Sequence, residues 1–281
     1  MERAGGGGPG EVLAGPVEVC VDRPVLALDR PFTYELAPEL GAGVGSLVRV
    51  PFHGRAVRGW VLGPAEEVPP RLLPVGAVLS PVRFFDRRLL DLFRWMSERY
   101  VAPLAAVIAR SHPPRVASEE AGWDAAGPAA SAPGTVPRAP GPVALPADVA
   151  SPGPGLGTYR GGGELLAAAA RGSGAYVLRP APDGEPAAAV ELVAACLAGG
   201  RRAIVLVPEA EPLPATARAV LEAFGERARA FAGGDRRARY RAWLAILRGE
   251  ADVVVGTRPA VFAPLRGLGL IVVCRESHPG H

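Results

Sequence analysis

Residues 175–210, AYVLRPAPDGEPAAAVELVAACLAGGRRAIVLVPEA, decide how the second half of the chain is read. AYVL is a short apolar run of strand type, RPAPDGEP a polar break, PAAAVELVAACLAGG a helix closed by glycines, and AIVLVP a second strand. The alternation extends outward. ELLAAAARG precedes it as a short helix, and TARAVLEAFG (helix), RARAFAG (strand), RRARYRAWLAILRG (helix), ADVVVGT (strand) and GLIVVC (strand) follow. Repeated strand and helix predict a parallel α/β sheet. A strand–loop–helix frame of this kind can cradle nucleotide phosphates when a lysine stands in the loop. No lysine occurs in the sequence, so all 31 basic residues are arginine and a P-loop ammonium is excluded.

The first half reads differently. VEVCV from Val17, SLVRVPF (46–52), AVRGWVLG (56–63) and VGAVLS (75–80) are short β-type runs punctuated by Gly and Pro, which predict a small β-rich domain. A helix should follow, capped by Asp86, with Leu89, Leu90, Phe93, Met96 and Tyr100 as an apolar stripe over the sheet and Pro103 ending or bending it. Residues 116–160 hold eight prolines and seven glycines and few large apolar side chains, the composition of a flexible linker. The expected organisation is therefore a disordered tail over 1–15, a β-rich domain over 16–115, a Pro/Gly-rich linker over 116–160, and an α/β domain over 161–281.

Composition narrows the class. At 281 residues, 49% apolar and 21% charged, the chain can bury a real core. Its net charge is only +3, yet residues 201–248 carry ten arginines against five acids. Such a surplus faces either a polyanion or simply solvent. Cys20, Cys196 and Cys274 are far apart and odd in number, which indicates neither a disulfide framework nor a zinc site. With no signal-peptide pattern and apolar runs too short to span a bilayer, a soluble cytoplasmic (nucleoid-associated) protein with no membrane partner is expected.

VLVPE (205–209), VVVGTRPAVFAPL (253–265) and LGLIVV (268–273) stand in the order and spacing of the first motor lobe of superfamily 2 helicases, and their wording resembles the replication-restart helicase family, PriA. LDRPFTYELAPEL (28–40), VRVPFHGR (48–55), GWVLG (59–63) and RWMSERYVAPLAAVIARSHP (94–113) resemble that family's small domain for DNA 3′ ends. The resemblance covers roughly 17–115 and 175–276. It implies a RecA-like first lobe, incomplete here because the chain stops at His281, before the family's second lobe and zinc cysteines.

The family uses ATP, Mg²⁺ and structural zinc; this chain is expected to use no cofactor. The family's GxTGSGKT turn is replaced by RPAPDGEP (179–186), with three prolines that lack N–H donors and two acids that repel phosphate. Its acidic box is replaced by Cys274, Arg275, Glu276 and Ser277, and His278 is read as an exposed tail histidine. No catalytic, nucleotide-binding or metal residue is assigned. The resemblance assigns DNA contact to Phe32 and Gly54, a pocket for the terminal nucleotide, and to Thr33, which stands where the family has an acid for the 3′ hydroxyl. Arg49, Arg55 and Arg58 are candidates for phosphates, and Thr257 and Arg258 for single-strand phosphates. Each has a plainer alternative: Phe32 as core, the arginines as surface charge, Thr257–Arg258 as a structural turn. The function implied is recognition of forked or single-stranded 3′-ended DNA in replication restart without ATP hydrolysis, with other primosome or single-strand-binding proteins as further partners. The alternatives are an ATP-dependent 3′–5′ helicase, a protein-docking adaptor and, last, a small-molecule enzyme.

Overall fold

The computed structural model describes residues 11–123, 155–231 and 233–279. The chain divides into two compact units between residues 134 and 135. Residues 1–10 of the tail expected over 1–15, and 124–154 of the linker expected over 116–160, lie outside the described residues.

In the first unit, β1 (Gly15–Val21), β2 (Phe32–Leu36), β3 (Ser46–Phe52), β4 (Arg55–Pro64) and β5 (Ala77–Arg83) form an antiparallel sheet in the order β2-β1-β4-β3-β5. Alternation does the sorting: Val17, Val19 and Val21 point inward with Val48, Val50, Val57, Val61, Tyr34 and Leu36. The sheet curls until its ends meet. Leu73–Gly76 close the gap, with Glu35 N–H donating to Leu73 O, Val75 N–H to Glu35 O and Gly76 N–H to Arg49 O at 2.8–3.0 Å. α1 (Arg87–Tyr100) starts at Asp86, whose carboxylate accepts from Leu89 N–H at 2.9 Å, and α2 (Leu104–Arg110) follows Pro103.

Three expectations need correction here. The tail does not reach residue 15, because Leu13 is buried, its N–H bonds Ala42 O and Gly15 opens β1. Tyr100 does not close over the sheet. α1 buries Leu90 and Phe93, and Tyr100, the last residue of the helix, falls within about 20° of Phe93 in rotation yet stays 65% exposed. The linker begins later and ends sooner, since the Arg115 guanidinium holds the buried Glu120 carboxylate through two bonds of 2.8 and 2.6 Å, and Leu156 is fully buried. Composition averaged over a window hides such single anchors.

In the second unit, α3 (Gly162–Arg171), α4 (Glu185–Ala198), β6 (Arg202–Leu206), α5 (Ala215–Phe224), β7 (Ala228–Phe231), α6 (Arg236–Leu247), β8 (Val253–Gly256) and β9 (Leu268–Val273) alternate along the chain. The four strands are parallel in the order β7-β8-β6-β9. Every residue of β6 and β8 is buried, as expected for central parallel strands covered on both faces. α4 is apolar nearly all round, and it packs on this sheet and on α3 and α5 through residues such as Val193, Leu197 and Val220. The AYVL run forms no strand. Val177 is 92% exposed and Tyr176 52%, because four residues of β propensity between Gly174 and Pro180 gain a ladder only if a partner strand holds them. No described helix is long and apolar enough to cross a membrane.

Candidate nucleic-acid interface

Curling of the first sheet brings β2 opposite β3 although they are not neighbours in it. The Tyr34 hydroxyl donates to Pro51 O at 3.0 Å across this gap, and burial pushes its phenol pKa up. Phe32 consequently meets Phe52 edge to face, centroids 5.0 Å apart, and Phe52 meets His53 in the same way at 4.4 Å. The Arg30 guanidinium lies 5.2 Å from the Phe32 ring centroid. Phe32 is half-buried, so it serves the core edge and still presents surface.

Gly54 stands beside this aromatic corner in a two-residue hairpin, where Phe52 pairs with Arg55 and the turn residues His53 and Gly54 have φ of 47° and 76°. Two successive positive φ values make the turn whose twist suits antiparallel strands. A Cβ on Gly54 would meet nothing within 4 Å, so the space above the turn is open. Phe32, Phe52, His53, Gly54, Arg30 and exposed Arg55 therefore share one corner.

Arg49 and Arg58 do not belong to it. They pair across β3 and β4 on the face opposite Val48, Val50 and Val57, and Arg58 is held by Asp22 at 2.7 Å. Thr33 turns its hydroxyl toward Glu67 O at 3.4 Å. Arg30, Phe52 and His53 were missed as individual site residues although they stand inside the LDRPF and PFHGR motifs. A cation two residues before an aromatic was the available signal.

In the second unit, Thr257 precedes a short 3₁₀ turn after β8 without a side-chain capping bond, and Thr257 and Arg258 line an open cleft of about 560 Å³ with Pro208, Glu209, Ala210, Glu211 and Pro259. The two acids offset the arginine there. His278 is partly buried rather than an exposed tail residue, with Nε2 at 3.7 Å from a Glu209 carboxylate oxygen. Part of the arginine surplus is structural: Arg202, nearly buried, and Arg227 each bond Asp252, at 2.9 and 2.8 Å.

Two amides of the 179–186 loop are hydrogen-bonded within the protein. Ala181 N–H donates to the Tyr159 hydroxyl and Gly184 N–H to Ala181 O, both at 2.9 Å, while the Glu185 carboxylate at the start of α4 accepts from the Thr216 hydroxyl at 2.6 Å. Across from it at the end of β9, burial, with the Glu185 charge adding, pushes the Cys274 thiol up to about 12.

The family model for the PriA 3′DNA-binding domain (3′BD) matches residues 18–113, the span that builds the aromatic corner. Over most of its length the chain is similar to PriA replication restart proteins. The Probable replication restart protein PriA of Mycobacterium leprae is 35% identical over 261 residues, covering 89% of this chain and 38% of that protein. Its namesake from Mycobacterium tuberculosis is 34% identical over 259 residues, 89% of this chain and 37% of that protein. The Replication restart protein PriA of Bacillus subtilis is 38% identical over 81 residues, 28% of this chain and 10% of that protein. The chain thus spans just over a third of the length of the mycobacterial PriA relatives it matches.

Proposed function

We propose that the chain binds forked or 3′-ended DNA in the restart of stalled replication forks, and that it neither hydrolyses ATP nor unwinds the duplex. The observation that carries this reading is the open aromatic corner of Phe32, Phe52 and Gly54 flanked by Arg30 and Arg55, within the span that matches a 3′DNA-binding domain. A ring edge and an open turn suit a terminal base and sugar, and the arginines suit the phosphate behind them. Thr33 offers a hydroxyl where a carboxylate would bind a 3′ hydroxyl more strongly, so discrimination between 3′ hydroxyl and 3′ phosphate is weak.

The second unit is read as a first-lobe-like RecA domain that has lost its nucleotide site. Its strand–helix alternation and parallel order support this, and the 179–186 loop, with three prolines and with Asp183 and Glu185, argues against ATP and Mg²⁺ as cofactors. Zinc is not assigned either, since the three cysteines are all buried. Thr257 and Arg258 form a secondary DNA contact, other primosome or single-strand-binding proteins are further partners, and the site of action is the cytoplasmic nucleoid.

Fluorescence anisotropy with a labelled fork bearing a free 3′ end tests the reading. Phe32→Ala should weaken binding about tenfold, within the ~1–3 kcal/mol range of base–aromatic stacking. Affinity that is no greater for DNA than for a neutral polymer, or DNA-stimulated ATP hydrolysis by the purified protein, would sink it.

A further inference from the structure

The face of α1 turned away from the sheet is not what a solvent face should be. Arg88, Leu92, Trp95 and Arg99 follow one another at steps of four, three and four residues and share about 60° of arc, roughly opposite buried Leu90 and Phe93. Trp95 is 54% exposed and Leu92 38%, whereas Trp60 and Trp243 are buried. Tyr100, 65% exposed, packs edge to face against Trp95 at 6.2 Å, and the Arg99 guanidinium lies 5.7 Å from the Tyr100 centroid. Asp91 and Glu98 flank the stripe without entering it. Charge points the same way. Residues 18–113 hold twelve arginines and ten acids, and α1 alone has four arginines and two acids, so the net surplus of the whole span resides on this helix.

We propose that this stripe is a second DNA contact of the 3′DNA-binding domain, a stacking platform for single-stranded DNA on which a base lies against Trp95 while Arg88 and Arg99 meet phosphates on either side. The inference rests on the DNA-binding reading above, but uses none of its residues. Arg88 and Arg99 stand about 16 Å apart along the axis with Trp95 between them, a span for a few nucleotides rather than one. Sequence-independent binding of single strands combines such cations with an exposed ring, because every base has a π face.

The probe is an oligo(dT) 20-mer added to the full chain, read by tryptophan fluorescence and by anisotropy. DNA should quench the exposed Trp95, and the quench should disappear in Trp95→Phe, which keeps a stacking ring and most of the affinity. Trp95→Ala should lose affinity about tenfold. Arg88→Ala and Arg99→Ala should each reduce the slope of log K against log salt by about 0.7. Because these residues are exposed, the variants should fold, and unchanged melting of each checks that. If Trp95→Ala binds oligo(dT) as the parent does while Phe32→Ala loses fork binding, the platform is wrong and the aromatic corner stands. If the parent chain binds no DNA, both fall. Self-association through the stripe, abolished by Trp95→Ala with DNA affinity unchanged, also overturns it in favour of a protein interface.

Discussion

At Gly54 the backbone makes the demand. No atom lies within 4 Å of where a Cβ would stand, so Gly54→Ala meets no clash, yet at φ of 76° an alanine costs about 1–2 kcal/mol. That should lower the melting temperature of the first unit by several degrees, measured by circular dichroism. His112 makes a pH-dependent contribution. Its ring packs against Phe84 at 4.5 Å and Trp60 at 6.2 Å with Nδ1 at 2.9 Å from Pro113 O, and burial holds its pKa below the ordinary 6.5 despite that hydrogen bond. The unfolded chain therefore binds the proton first as pH falls. Stability from this group is fully present above about 6.5 and is lost as pH falls below it through the folded-state pKa. Denaturant titrations at pH 7.5 and 5.5 should show the loss, and His112→Gln should flatten it. None of this was legible at His112, whose ring neighbours Phe84 and Trp60 come from two distant parts of the chain.

Among the elements, those with both a period and punctuation were readable. The Asp86 cap, the strand SLVRVPF and the helix after Gly184 lie within a residue or two of where sequence places them, because a cap, an alternation and a Gly or Pro boundary are local physics. Asp86→Ala should cost about 1 kcal/mol by releasing Leu89 N–H, read as a lower urea midpoint with unchanged m. AYVL was misread because a four-residue apolar run has propensity but no way to specify its partner. The same limit applied to α1. Its buried side was visible as Leu90 and Phe93, but Tyr100, on that side by rotation, ends the helix two turns past Phe93 and stays exposed, because periodicity gives a side chain's direction and not whether anything packs there.

For the whole molecule, the proline-rich, acidic loop at 179–186 makes a direct prediction. A ligand present at a hundred times its Kd adds ~2.7 kcal/mol, so millimolar Mg·ATP that bound here would raise the melting temperature visibly. No shift is expected in differential scanning calorimetry, and a rise of several degrees would show that the loop opens to nucleotide. The family and the unlike character of the two halves were set by the sequence, through a missing lysine, proline positions and period-two and helical patterns that need no partner to be read. Which candidates meet was decided in three dimensions. The curl of the first sheet joined Phe32 to Phe52 and the Gly54 turn and sent Arg49 and Arg58 to the other face, because contacts between residues twenty or more apart depend on how sheets close and not on any local pattern.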